Sequence, residues 1–453
     1  MLTARRIDAT SGPLLRQLIL YSLPLILSTM LQNLFNAMDT AVLGNMADSV
    51  AVASVGASGS VVSLVVTAFI GISNGTRIVL ARMIGAKDPD RITATVDTSV
   101  LLAAGLGLIV AVLGWCISPT LLTLLQCPAD CRDGAVLYLR IYFTAAPAML
   151  LYNFCSAIIT TAGNAQSPLY YMIAGGILNV ILNILLCLIL PNKVAAVAIA
   201  TTASQVLGAV LCLRRLRRGE GSIRLQLRKM RWNNRACKNV LAMGLPIALS
   251  NALYPLGSVQ IRVAVNSYGS PGIAGSHTAS ILANFATSFL NGASSAAGVF
   301  ISQNLGAQYH DRVKRSFWHG LWLCALLGTA FGAFFVLTGR FWLNLFIADD
   351  PLAIDYGMIE IYCHLSLFGL FGITKALDPF LQGLGYSILN PLVNIFCVLV
   401  FRILWMTFIY PLLPTFWMLM LCYSASWILL LLANGIATII VYARYRKGIY
   451  KKL

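Results

Sequence analysis

Asp39, a carboxylate inside the first long apolar segment, is the residue best placed to do chemistry in this sequence. It follows a polar strip of Ser28, Thr29, Gln32, Asn33 and Asn36 and precedes Gly44. An ionised carboxylate at membrane depth costs about 2.5–3.5 kcal/mol on insertion scales, so a proton, a cation or a hydrogen-bonding neighbour must offset it. Two readings stay open: a proton or cation site, or a carboxylate near the outer interface that pairs with a neighbour. Asn179 and Asn183 are spaced i, i+4, which puts both amides on one helix face. With Thr201, Thr202, Ser204 and Gln205 on the next segment, they offer neutral oxygens around Asp39. One carboxylate with several carbonyl and hydroxyl oxygens suits Na⁺ or a hydrogen-bonded proton. Hydrogen bonding between helices, with no ion at all, would use the same residues.

The second half of the chain has Ile261 at the position equivalent to Asp39. Its intramembrane charges are of another kind. Lys375 and Asp378, spaced i, i+3, are expected to pair on one face, and Arg402 lies in the next apolar segment with Glu360 as a candidate partner. A structural charge network is one reading of these four, and a role in substrate handling or coupling is the other. The sequence shows no phosphate-binding loop, no His-Glu-x-x-His helix and no Ser/His/Asp set, so neither an enzyme nor a cofactor is expected. The histidines at 277, 310, 319 and 364 are isolated and read as core or interfacial residues. The 11 cysteines fall mostly in apolar segments, and no spacing resembles a metal site. Cys127 and Cys131, in an outer loop, are the one pair positioned to form a disulfide, with two free thiols as the alternative.

The elements that must hold these residues are membrane helices. Of the 453 residues, 58% are hydrophobic and 10% charged, and the mean hydropathy is +0.80. That composition excludes a water-soluble domain. Apolar stretches of roughly 20 residues, each able to cross a hydrocarbon core about 30 Å thick, recur along the whole chain. Their continuity predicts helices and not barrel strands. Twelve spans are expected at about 14–43, 50–82, 93–117, 134–160, 168–191, 193–213, 240–266, 271–301, 314–339, 354–381, 391–411 and 416–443. Residues 1–17 lead into the first span without a small-residue cleavage site and are read as retained.

A net charge of +17 would suggest nucleic acid for a soluble protein, but here its location decides its meaning. Of the 32 Lys and Arg residues, 24 fall on one side of the expected topology, three on the other (Arg132, Lys193, Arg340) and five within apolar runs. The asymmetry places both termini and the central loop in the cytoplasm, and no nucleic-acid partner is expected. The ten basic residues from Arg214 to Lys238 form a linker held at the anionic inner leaflet. This divides the chain into a six-helix lobe at 1–213, the linker at 214–239, and a second six-helix lobe with a basic tail at 240–453.

The halves repeat at an offset of about 221 residues. Leu23-Pro24-Leu25-Ile26-Leu27-Ser28 returns as Leu245-Pro246-Ile247-Ala248-Leu249-Ser250. Gly85-Ala86 with Asp90-Arg91 returns as Gly306-Ala307 with Asp311-Arg312, and Ile141-Tyr142 with Gly163 as Ile361-Tyr362 with Gly383. Six spans per half give both lobes the same orientation, which predicts a pseudo-two-fold axis along the membrane normal and a central cavity between the lobes.

Over essentially its whole length the chain resembles the bacterial multidrug and toxic compound extrusion transporters. The resemblance rests on Leu23-Pro24, Met38-Asp39-Thr40-Ala41-Val42-Leu43-Gly44, Gly85-Ala86-Lys87, Gly163-Asn164-Ala165-Gln166-Ser167-Pro168, Asn179 to Asn183, Ala200-Thr201 and Gln382-Gly383-Leu384-Gly385. It implies an all-α, two-lobe exporter of the bacterial inner membrane that exchanges H⁺ or Na⁺ for amphipathic, cationic small molecules. It also implies a monomer with lipid and substrate as its partners. It makes Asp39 a coupling residue, with Gln32, Asn179, Asn183 and Thr201 around it, and Pro24 a point where the first helix bends. Gln32, Asn36, Gln205 and Tyr254 are the candidates for contact with substrate. Two departures stand out: Asn183 replaces a second carboxylate of many relatives, and Tyr254 with Ile373-Thr374-Lys375 occupies regions that are acidic in some. A flippase for lipid-linked oligosaccharides or another lipid-like substrate is the alternative function.

Overall fold

The computed structural model describes residues 7–46, 49–124, 127–219, 221–347 and 350–448, with the side chains of Asn36, Thr40, Ala41, Asn45 and Ser49 outside the described set. Arg5 and Arg6, Glu220 of the linker, and Lys451 and Lys452 of the basic tail also lie outside it. Among the described residues there is no strand. The helices are α1 (Leu14–Met46), α2 (Ser49–Gly85), α3 (Pro89–Leu124), α4 (Ala129–Thr144), α5 (Ala146–Thr161), α6 (Gln166–Ile189), α7 (Lys193–Arg217) and α8 (Asn234–Leu253). They continue with α9 (Val259–Asn266), α10 (Gly269–Gly306), α11 (His310–Phe346), α12 (Pro351–Leu365), α13 (Phe368–Gly383), α14 (Leu389–Asn394), α15 (Phe401–Leu404) and α16 (Phe416–Arg446).

Each of the twelve expected spans is helical, but four are broken. The fourth is α4 with α5 and the tenth is α12 with α13, both bent by 46°. Pro147 in the first turn of α5 has no N–H to continue the ladder of α4, which accounts for the first break. In the seventh span a 3₁₀ turn at Pro255–Ser258 separates α8 from α9. In the eleventh, π-helical turns at Ile395–Val400 and Trp405–Ile409 flank α15.

Nine spans, the interrupted seventh and eleventh among them, are long and apolar enough to cross a membrane among the described residues, and the two bent pairs bring the number to 11. The one remaining segment, the eighth, is α10, long enough at 38 residues but rich in Gly, Ala, Ser and Asn. About half of it is buried against other helices, so packing and not lipid sets its composition. α2, α3, α10 and α11 have 36–38 residues, so at 1.5 Å per residue they run for about 55 Å, beyond the hydrocarbon layer.

The internal repeat extends to the backbone. After α2, Lys87 adopts φ 53°, and after α10 Gln308 adopts φ 60°. Gly163 after α5 and Gly385 after α13 both have φ 89°. At all four ends the amide of the left-handed residue and that of the next residue fold back onto the last helical turn, as Lys87 to Ile84, Asp88 to Met83, Gln308 to Leu305 and Tyr309 to Asn304 illustrate. This Schellman closure satisfies carbonyls that the helix leaves unpaired.

The chain divides into two compact units, residues 1–8 with 30–248 and residues 9–29 with 249–453. The division falls inside two helices, α1 after Thr29 and α8 after Ala248. Both points lie shortly beyond the repeated Leu-Pro pairs, Leu23-Pro24 and Leu245-Pro246. In the first unit Leu122, Ala135, Leu139 and Phe143 form a buried cluster. In the second, Leu290, Phe335, Phe368, Phe371 and Trp427 belong to the main one.

Within the first unit α2 meets α8 through glycines. A Cβ on Gly75 would stand 2.3 Å from the Val240 carbonyl oxygen, and one on Gly71 would stand 2.3 Å from Ala248 Cα. Gly244 approaches the Ile72 carbonyl in the same way. The helices therefore pack backbone to backbone, the small-xxx-small mode of membrane helices. Gly75→Leu is expected to force α8 away and lower thermal stability by more than the 1–3 kcal/mol or so typical of overpacking. Gly105→Leu on α3, where a Cβ meets nothing within 4 Å, is expected to be neutral. Thermal unfolding of the two purified variants in detergent checks the contrast.

Candidate functional site

Glycines bring the residues around Asp39 together. On α6 the ring of Phe35 from α1 lies where a Cβ on Gly176 would stand, and a Cβ on Gly175 would come within 3.2 Å of the Ser204 carbonyl on α7. Gly175-Gly176 thus lets α1 and α7 close on α6. α6 presents Asn179 and Asn183 on one face, 4% and 0% exposed, and α1 carries Asp39 half-buried.

These side chains form a continuous chain of hydrogen bonds. Asn183 Nδ2 donates to Asp39 Oδ1 at 2.6 Å and to Asn179 Oδ1 at 3.2 Å, and Asn179 Nδ2 donates to Thr201 Oγ1 at 3.4 Å. Thr201 in turn donates to the Val197 carbonyl at 3.0 Å. Asn183 Oδ1 is buried with no hydrogen-bond partner. The set has one carboxylate, two amide oxygens and a hydroxyl. A proton on Asp39 would turn the carboxylate into a donor, and Na⁺ would find oxygen ligands alone. Among the described residues no group of three or more His, Cys, Asp or Glu gathers as for a transition metal.

Other residues expected on these faces divide. Thr202 and Ser204 turn their hydroxyls onto backbone carbonyls, Thr202 to Ala198 at 2.8 Å and Ser204 to Thr201 at 2.7 Å, and take no part in the Asp39 set. Gln205 lies one turn beyond Thr201 on α7 and is half-buried, and Gln32 is exposed two turns before Asp39 on α1. Asn36 belongs to α1, but its side chain lies outside the described residues. Tyr138 and Tyr142 of α4 were not expected here. Their rings stack at 6.0 Å, and both lie within electrostatic reach of Asp39. Two tyrosines spaced i, i+4 in an apolar segment were the available signal.

α1 remains helical through Pro24. The missing proline N–H leaves the ladder one bond short, and Ser28 donates to the Pro24 carbonyl at 2.8 Å while Thr29 donates to the carbonyls of Ile26 at 2.8 Å and Ser288 at 3.0 Å.

The second unit differs from expectation in two pairings. Lys375 and Asp378 form no ion pair. The side chain of Lys375 leans toward the N-terminal end of α13, as helical side chains do, and its ammonium lies 5.2 Å from the Phe371 ring and 5.9 Å from that of Tyr254. Asp378 keeps Oδ1 buried with no hydrogen-bond partner. Arg402, 1% exposed, does not pair with Glu360. It donates to Ser258 Oγ at 2.7 Å and to Ser426 Oγ at 3.1 Å, and stacks on Tyr423 at 4.6 Å and Tyr254 at 5.8 Å. Its planar fork matches hydroxyls and ring faces, and these take the place of a carboxylate. Tyr254 therefore lies among the cations of the second unit and accepts a hydrogen bond from Trp427 at 3.3 Å. Nearby, Asn390 Oδ1 accepts from Ser250 at 3.1 Å and from Asn394 at 2.7 Å. Cys127 and Cys131 are separate thiols with sulfurs 3.6 Å apart.

Comparison with known proteins bears on the family and the fold. The family model MatE matches twice, over residues 24–185 and 246–407, each match beginning at one of the repeated prolines. The chain is 25% identical over 391 residues to the probable multidrug resistance protein YpnP of Bacillus subtilis, covering 84% of this chain and 87% of that one. The crystal structure of MATE in complex with MaL6 has the same fold, with a TM-score of 0.90 at 18% identity over 98% of this chain and all of that one. A transporter of the MOP superfamily from Pyrococcus furiosus, described as having a binding pocket of reverse polarity, aligns with a TM-score of 0.85 at 19% identity over 98% of both chains. With both halves matched by the family model and the twelve-segment helical fold reproduced, the chain belongs to the MatE family, the multidrug and toxic compound extrusion transporters.

Proposed function

We propose that this protein is a secondary active antiporter that exports amphipathic, cationic organic compounds in exchange for H⁺ or Na⁺, with Asp39 as its coupling group. The observation that carries the reading is the 2.6 Å bond between Asp39 and Asn183, within a network whose other members are neutral. A carboxylate without a cationic partner at membrane depth is open to neutralisation by an incoming ion. The name of the Bacillus relative, a probable multidrug resistance protein, supports export of drug-like small molecules.

The driving force is about 2.3 kcal/mol per charge for each 100 mV and about 1.36 kcal/mol for each pH unit when protons couple. For that energy to move the protein, the ion must bind the two ends of the transport cycle unequally. Asp39 on α1 reaches α6 through Asn183, and α6 reaches α7 through Asn179 and Thr201, so the charge on Asp39 acts on the packing of three helices at once. Pro24 is the proposed point of bending, one turn before α1 passes from one unit to the other. Both termini and the basic linker face the cytoplasm on the distribution of Lys and Arg, and the protein acts as a monomer.

Two measurements test this. Asp39→Asn keeps the size and most of the hydrogen bonding, so the variant should insert, fold and bind an organic cation such as ethidium in detergent, yet lose gradient-driven export in proteoliposomes. Wild-type export by Asp39→Asn under either an imposed pH or sodium gradient would place coupling elsewhere. Asn183→Leu removes the donor to Asp39 and is expected to cost about 1.5–3 kcal/mol, the range for a hydrogen bond to a charged group. In an Asp39→Asn background the same change should cost much less, because no charge is left stranded, and a double-mutant cycle of thermal stabilities reads the difference.

A further inference from the structure

We propose that Glu360 and His364 together hold one exchangeable proton at the break of the tenth span, forming a second proton-binding site in the 249–453 unit, separate from Asp39. The inference rests on the reading of the chain as an ion-driven exporter, but its physical content is local.

Glu360 and His364 are spaced i, i+4 on α12, so their side chains share a face. Glu360 is 2% exposed; its Oε1 accepts from Ser280 of α10 at 3.0 Å, and its Oε2 is buried with no hydrogen-bond partner. His364 Nδ1 lies 4.0 Å from Glu360 Oε1 and is likewise buried without a partner. Two unpaired polar atoms on neighbouring side chains in an apolar interior cost free energy, and one shared proton satisfies both. The imidazole cannot easily turn elsewhere. It stacks on Tyr423 at 4.7 Å with rings 16° from parallel, and its centroid is 4.6 Å from that of Trp427.

The surrounding charges decide where the proton sits. Arg402 lies on Tyr423 at 4.6 Å, so one positive charge already occupies this aromatic stack. Arg262 of α9 is within electrostatic reach of both Glu360 and Tyr423. α10 presents the hydroxyls of Ser276 and Ser280, and α12 itself adds Cys363. α11 contributes Arg340, which is paired with Asp355 at 3.6 Å nearer the start of α12. Arg402 and Arg262 thus already bring two positive charges to the cluster that the shared proton would join. In the proposed arrangement the proton is carried as a Glu360 O–H that donates to His364 Nδ1, which requires the carboxyl to turn, because the oxygen now facing the ring stands 4.0 Å away and already accepts from Ser280. His364 is two residues from the junction where the tenth span bends by 46°, so gain or loss of the proton changes the charge and hydrogen bonding at that bend.

The test is infrared difference spectroscopy of the whole protein in lipid nanodiscs, stepped between about pH 8 and about pH 5 without substrate. A protonated-carboxyl band should appear on acidification, vanish in Glu360→Gln, persist in Asp39→Asn, and shift in frequency in His364→Gln, where its acceptor is gone. If Glu360→Gln folds poorly, Glu360→Asp supplies the second variant and should also move the band. A spectrum in which no band depends on residue 360 overturns the proposal, and a Glu360 band that ignores His364→Gln overturns the shared proton. A band lost in Asp39→Asn but not in Glu360→Gln would leave the function proposed above standing while removing this site. Bands that respond to Glu360 and His364 but not to Asp39 would support this site and leave Na⁺ as the ion for Asp39.

Discussion

An ionised carboxylate in hydrocarbon must find its stabilisation inside the protein, and this constraint shapes the first unit. Asp39 has no cationic partner among the residues bonded to it; its short bond is to Asn183, and through Asn179 to Thr201 it is tied to two further helices. Gly175 and Gly176 let α6 approach its neighbours closely enough that a Cβ on Gly176 would overlap the Phe35 ring and one on Gly175 would crowd the Ser204 carbonyl. The same economy of small residues closes α2 on α8 at Gly71, Gly75 and Gly244. Without a hydrophobic drive between helices in lipid, close backbone approach supplies the van der Waals contact that holds the unit together.

The second unit handles its charges differently. Arg402 and Lys375 are held by aromatic faces and serine hydroxyls, while Glu360 and Asp378 keep carboxyl oxygens without hydrogen-bond partners. Direct ion pairs among these four groups are absent, and the buried arginine sits between two stretches of π-helix. Wide turns of this kind occur often at functional sites. The two units therefore share helix order and end caps but not chemistry: one carries a carboxylate among neutral amides, the other a spread of separated charges.

Repetition and asymmetry have distinct physical origins. The Schellman ends after α2 and α10, and after α5 and α13, recur because terminal carbonyls in either half need the same backbone solution. Interior side chains are under no such demand. The position equivalent to Asp39 is Ile261, 1% exposed and in the same buried cluster as Leu419 and Met420, so in the second half it is an ordinary core residue.

The sequence by itself determined the membrane class, the twelve helical segments, the duplication and the pairing of Asn179 with Asn183 on one face, because hydropathy, repeat and helical spacing are local quantities. It also singled out Asp39, since an acidic residue in an apolar run stands out against lipid whatever surrounds it. Tertiary structure alone decided the partners. Lys375 and Asp378 had suitable spacing, but the lean of a helical side chain and the nearby rings of Phe371 and Tyr254 kept them apart. Thr202 and Ser204 had suitable chemistry, but their hydroxyls closed onto their own helix. The breaks in the fourth and tenth spans, the passage of α1 and α8 between units, and the meeting of His364 with Glu360, Tyr423 and Trp427 depend on contacts far apart in the chain. Spacing along one helix fixes which residues share a face, whereas the chemistry of that face is set by whichever helix packs against it.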